Sequence, residues 1–212
     1  MENKRTSVII ADAEYIDNVA FNLIVNFERM IGRHIPQADM AQWVECIAMD
    51  GGVRRVTECN GELGKKESSE CNVILVHEKD TEEMNNFNPG KFNTELNGQA
   101  FTGDLGEFVF STVNAEENAE TMQKYDIITD VLAAMVDEPK VNNIMVIPNL
   151  DSRDNGVLDR LMPVLRHIDR ACPEKRVTLF AMQPLSGVPC RTEILGYSLM
   201  AALGIRADEI KE

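Results

Sequence analysis

Residues 7–19 read SVIIADAEYIDNV, and this stretch decides the fold. Ser7 to Ala11 is a short apolar run of largely β-branched residues, broken at Asp12. Such a run has the length and composition of a strand covered on both faces. A helical pattern follows at once. Val19, Leu23, Phe27, Met30 and Ile31 recur at helical spacing over residues 18–31, with Asp17 or Asn18 available as cap and Gly32 as stop. A buried strand running into an amphipathic helix is the opening half of a parallel crossover unit.

The same alternation continues outward. A second helix is expected over about 38–49, with Met40, Trp43, Val44 and Ile47 on one face. Three more apolar strands follow at NVILVH (72–77), IMVI (144–147) and VTLFAM (177–182). Helical patterns fill residues 116–136, 157–170 and 194–203, the last with Gly204 as C-cap. Pro163 would fit comfortably only near the first turn of its helix. Residues 53–70 and 78–95 are polar and read as loops, with Asn-Pro-Gly at 88–90 as a turn. Asn97-Gly98 followed by EFVFSTV (107–113) suggests an irregular hairpin or edge strand.

The expected architecture is therefore a single α/β domain over residues 1–212. It is a three-layer α/β/α sandwich with a mostly parallel central sheet of about four to five core strands, plus the irregular hairpin or edge strand.

Composition narrows the function. The chain has a net charge of −14, which opposes nucleic-acid binding unless its basic residues cluster. Pairs such as Arg54-Arg55 and Lys65-Lys66 fall in polar, loop-like segments. No DNA-binding motif is present, and no apolar run approaches the roughly 20 residues that span a bilayer. With no secretory leader pattern, a cytoplasmic protein is expected. The five cysteines form no C-x-x-C pair, so neither a disulfide framework nor a structural zinc site is expected. Phosphate-binding glycine loops and nucleophile elbows are lacking, and His34, His77 and His167 share no ligand spacing.

In open α/β sheets ligands gather beyond the carboxyl ends of the strands. There the chain places Asp12 after the first strand, His77-Glu78 after the second and Asn149 to Asp154 after the third. Carboxylates converging on one edge are what a hard cation such as Mg²⁺ or Mn²⁺ requires, and such an ion activates water and offsets charge on a phosphoryl group. The same residue types also cap helices and make turns.

Three stretches carry a family resemblance: VIIADAEYIDNV (8–19), IPQADMAQWVECIA (35–48), and IMVIPNLDSRDNGVLDRLMPVLRHI (144–168) with the strand VTLFAM after it. Together they resemble the NYN branch of the PIN-like nuclease domains. Against the family pattern, Leu150 replaces the glycine before the aspartate, and Arg153 separates Asp151-Ser152 from Asp154. A register matched at Pro163 would use Asp159 instead, and Asp126 or Asp130 could supply the acid on the preceding helix.

The resemblance implies a divalent-metal-dependent ribonuclease acting on single-stranded RNA with Mg or Mn. Asp12 and Asp151 would be the catalytic and metal-binding pair, with Asp154 and Asp130 as further ligands. The alternative is a non-catalytic interaction module, a homodimer or a complex subunit, with a degenerate site. An exposed apolar patch around Tyr197, Leu199 and Met200 would favour it.

Overall fold

The computed structural model describes residues 6–54, 69–115, 124–151 and 156–210. The chain runs β1 (Thr6–Asp12), α1 (Ala13–Ile31), β2 (Ala38–Asp39), α2 (Met40–Asp50), β3 (Glu70–Glu78) and β4 (Phe87–Asn88). A π-helical turn (Phe92–Leu96) then leads into β5 (Ala100–Gly103) and β6 (Gly106–Ala115). The second half is α3 (Lys124–Asp137), β7 (Val141–Ile147), α4 (Val157–Ala171), β8 (Arg176–Ala181), β9 (Arg191–Ile194) and α5 (Leu195–Ala202).

Seven strands form one sheet in the order β5-β6-β3-β1-β7-β8-β9, and β2 pairs with β4 apart from it. Every pairing in the large sheet is parallel except that of β5 with β6. The α/β class and the mostly parallel sheet agree with the sequence. The expected hairpin is present at one edge, where β5 folds back on β6, and β9 widens the sheet at the other edge; β6 is itself a full strand of the parallel sheet. It lies parallel to β3 along its length, from Glu70 opposite Glu107 to Glu78 opposite Ala115. The hairpin is the β5–β6 turn, and it closes at Gly106, not at Asn97-Gly98. Gly106 is required there, because its φ of +131° is foreign to side-chain-bearing residues and a Cβ would drive into the Ser69 carbonyl.

The sheet is buried on both faces, as the unbroken apolar strands require. Ile9 and Ala11 of β1 point into the cluster covered by α1, α2 and α5. Val8 and Ile10 point into the cluster covered by α3 and α4. Polar residues 78–95 are more than loop, since Met84, Phe87 and Phe92 anchor the segment in the first core. Most of the other polar segment, residues 55–68, lies outside the described residues, as do 116–123 of the third expected helix.

Helix boundaries shift where a cap was misassigned. α1 begins at Ala13 because Asp12 itself is the N-cap, accepting the Tyr15 N–H at 3.0 Å. Asp17 instead accepts from Asn86 at 2.8 Å. In α4, Pro163 sits inside the helix and not in its first turn. The carbonyl it leaves without an amide is that of Asp159, at an exposed position where water can serve it.

Candidate functional site

From β1 the chain builds outward to β3 and β6, then returns across the sheet to β7 on the other side of β1. The carboxyl ends of β1 and β7 thus form a topological switch point, the crevice where open sheets of this kind bind ligands. Asp12 ends β1 there, and Asn149, Leu150 and Asp151 follow β7.

Asp12 is fully buried. Its Oδ1 receives the Tyr15 amide at 3.0 Å and lies 2.8 Å from the Lys124 ammonium. Lys124, the first residue of α3, is only 8% exposed. Its Nζ also stands 2.7 Å from Glu14 Oε2 and 3.5 Å from Glu78 Oε1. Glu14 in turn accepts the Glu78 backbone N–H at 2.7 Å. Three carboxylates from β1, α1 and β3 therefore share one ammonium delivered by α3.

The charges follow from this arrangement. Burial pushes the Asp12 carboxyl up from its ordinary value, and Lys124 offsets only part of that push. For Glu14 burial acts upward too, but the Lys124 hydrogen bond and the Glu78 amide win and hold it low. Burial alone would lower Lys124. Asp12 and Glu14 together outweigh it, so the ammonium stays charged beyond its ordinary range.

Asp12 and Asp151 are joined through Tyr15 and not by direct contact. The Tyr15 hydroxyl donates to Asp151 Oδ1 at 2.9 Å, while its amide donates to Asp12. Burial first, then the Asp151 carboxylate, keep that hydroxyl protonated. Asp151 is exposed and lines a cavity of about 400 Å³ with Gly156, Asp159, Gln183 and Ser186 at the ends of β7 and β8. A second cavity of about 430 Å³ opens at the opposite end of β8 and holds none of these residues.

The other expected ligands do not join the cluster. Asp130 stands exposed on α3, about 9 Å along the axis from Lys124 and roughly 240° around it. Asp126 is taken by Arg160 at 2.7 Å. Asp154 lies outside the described residues. Among the described residues no three His, Cys, Asp or Glu side chains form a group able to hold a metal ion. The donor set at the switch point therefore does not fit a resident divalent ion as it stands, because an ammonium fills the centre of its carboxylates.

Comparison with known proteins gives one match. Residues 2–210 fit the model of a family of unknown function, DUF6621. The chain belongs to that family. No curated protein and no solved structure matches it.

The sequence pointed to Asp12, Asp151 and the strand ends. It did not point to Glu14, Glu78 or Lys124 as partners. No helix of the described residues is long and apolar enough to cross a membrane.

Proposed function

We propose that this chain is a non-catalytic α/β binding module, a nuclease-like frame in which Lys124 fills the place of a metal ion. The observation that carries the reading is the ammonium held within 2.8 Å of both Asp12 and Glu14. An ammonium neutralises the carboxylates but has no open coordination position, so it cannot bind and activate water as a divalent ion does. The net charge of −14 points the same way, toward a protein partner over RNA. Cys46, Cys71, Cys172 and Cys190 are all free thiols, which suits a reducing, cytoplasmic setting.

Of the expected patch on α5, Tyr197 is 72% exposed, but Leu199 is buried and Met200 packs partly against the core. The contact surface is therefore to be sought elsewhere.

One observation favours the catalytic reading: Asp12 Oδ2 is buried and has no hydrogen-bond partner. An oxygen so placed would take an ion if Lys124 withdrew. Calorimetric titration of Mn²⁺ separates the two readings. The module reading expects no saturable binding at millimolar metal and no cleavage of single-stranded RNA. Saturable binding that Asp12→Asn abolishes, together with RNA cleavage, would overturn it.

A further inference from the structure

We infer that the cavity at the amino end of β8 is a binding site for a small organic anion, a carboxylate or phosphate monoester carried on an apolar body. The cavity opens at the end of the sheet opposite Asp12 and Lys124, so the inference is independent of the module reading. Its volume of about 430 Å³ is that of a small-molecule pocket. Leu165, Ile168 and Val177 give it an apolar wall, while Lys175, Arg176 and Arg191 line it against one acid, Asp169. At the other end of β8 the signs are reversed: Asp151 and Asp159 line that cavity, and among the described residues no base does.

Bases at this end of a parallel sheet have an ordinary use, because helices finish here and their last carbonyls need donors. That use accounts for Lys175, whose Nζ holds the Glu138 and Val141 carbonyls at 2.6 and 2.7 Å. It does not account for the arginines. At the end of α2 the Ile47, Ala48 and Met49 carbonyls are taken by the Gly51, Val53 and Gly52 amides, and in α4 the Ile168 carbonyl is taken by the Cys172 amide. Arg176 makes no ion pair among the described residues. Arg191 gives Nε and Nη2 to Glu193 and keeps Nη1 on the side of Gly52, which lines the cavity. Glu193 and Asp50 are the acids beside Arg191, and neither lines the cavity.

Register brings the two arginines together. Arg191 stands opposite Thr178 on β8, and Arg176 lies two residues before Thr178, so the three side chains share one face of the sheet. The arginine Cα atoms are then about 8 Å apart. Asp169 is exposed and comes from α4, which covers the opposite face with Leu165 and Ile168. Head and body of a ligand thus meet separate walls. A guanidinium offers paired N–H donors that match a carboxylate or a phosphate, and in a chain of net charge −14 two of them facing one enclosed space select an anion.

The test is calorimetric titration of the full chain with benzoate and phenyl phosphate, and with benzylamine and inorganic phosphate for comparison. At least one of the two organic anions is expected to bind saturably in the millimolar range or below, and which of them binds names the head group. Arg176→Gln, at an exposed position and so compatible with folding, is expected to weaken that binding about tenfold with an unchanged thermal melt. Occupancy is also expected to slow alkylation of Cys172, which lines the cavity, and to leave Cys46 unaffected. No saturable binding of either organic anion at millimolar concentration overturns the site. So does benzylamine or inorganic phosphate binding equally well, or binding that survives both Arg176→Gln and Arg191→Gln. None of these results bears on the Mn²⁺ titration, which judges the module reading separately.

Discussion

Lys124 Nζ lies 2.8 Å from Asp12 Oδ1, and both groups are withdrawn from solvent, with side chains 8% and 1% exposed. A buried pair of this kind contributes little over an apolar substitute, yet breaking it from one side leaves an uncompensated charge. Lys124→Met is therefore expected to cost about 3–5 kcal/mol in urea unfolding. Asp12→Asn keeps an N-cap oxygen, and Glu14 remains to face the lysine, so its cost should be smaller. The double variant is expected to be more stable than Lys124→Met alone. A strictly additive cycle would show that the two groups are not coupled.

Removing the ammonium should also change what the switch point binds. Glu14 and Glu78 would then face Asp12 with no cation between them. Lys124→Ala is expected to gain Mn²⁺ affinity over wild type in the same calorimeter and to regain thermal stability as metal is added. A variant that folds but binds no better than wild type would mean the carboxylates are held too far apart for an ion.

Tyr15→Phe removes the hydroxyl that reaches Asp151 and leaves the backbone cap on Asp12 intact. Because Asp151 is exposed and can turn to water, the loss is expected to be about 1 kcal/mol. Calorimetric melting measures it. A loss several times larger would imply that Tyr15 also fixes the loop after β7.

The acid limb of stability has an identifiable contributor. Arg33 grips Glu209 through Nε at 2.8 Å and Nη2 at 2.9 Å, tying the end of α1 to the turn after α5. This holds the Glu209 carboxyl down at about 2, from an ordinary 4.5. A depressed carboxyl stabilises the fold above its unfolded value and loses that contribution as pH falls through its folded value. The gap in melting temperature between wild type and Glu209→Gln should be constant above pH 4.5 and close between there and about pH 2. A gap independent of pH would remove the ion pair from the account.

Thiol chemistry offers an independent check on packing. Burial pushes the Cys71 thiol up to about 12 and the Cys190 thiol up to about 11. Since the thiolate is the reactive form, Cys71 is expected to resist alkylation of the native protein at pH 8 and to react fully in denaturant. Mass spectrometry after tryptic digestion reads the difference.

The four central strands were legible because burial on both faces leaves an unbroken apolar run that no helix of that length imitates. β6 was read as an irregular hairpin or edge strand; the hairpin is there, but the alternation, with Glu107, Ser111 and Asn114 between apolar residues, hid the parallel pairing of β6 with β3. β9 went unread because RTEI carries two charges in four residues, tolerable only on a short edge strand. At the site, Asp12 was legible from its place at a strand end. Lys124 was not, because nothing local shows that residue 124 returns to Asp12 and Glu78, and that depends on the crossover from β6 to β7. The start of α1 was misread because Asp12, Asp17 and Asn18 are chemically equal caps, and only the sheet decides which one the backbone reaches first.

The place of β1 at the middle of the sheet has a consequence for how the chain is made. β1 leaves the ribosome first, but its two neighbours begin at Glu70 and Val141. β1 can pair with β3 once Glu70–Glu78 has emerged, but its other edge must wait for β7. Contacts so distant in sequence are slow to form and leave sticky segments open meanwhile. Folding during synthesis can therefore complete only the β1–β3–β6 part of the sheet before β7 emerges. The switch point is completed last, when β7 closes over β1, so a truncated chain that stops before Val141 would carry Asp12, Glu14, Glu78 and Lys124 without Asp151 and without the strand that forms the other wall of the crevice.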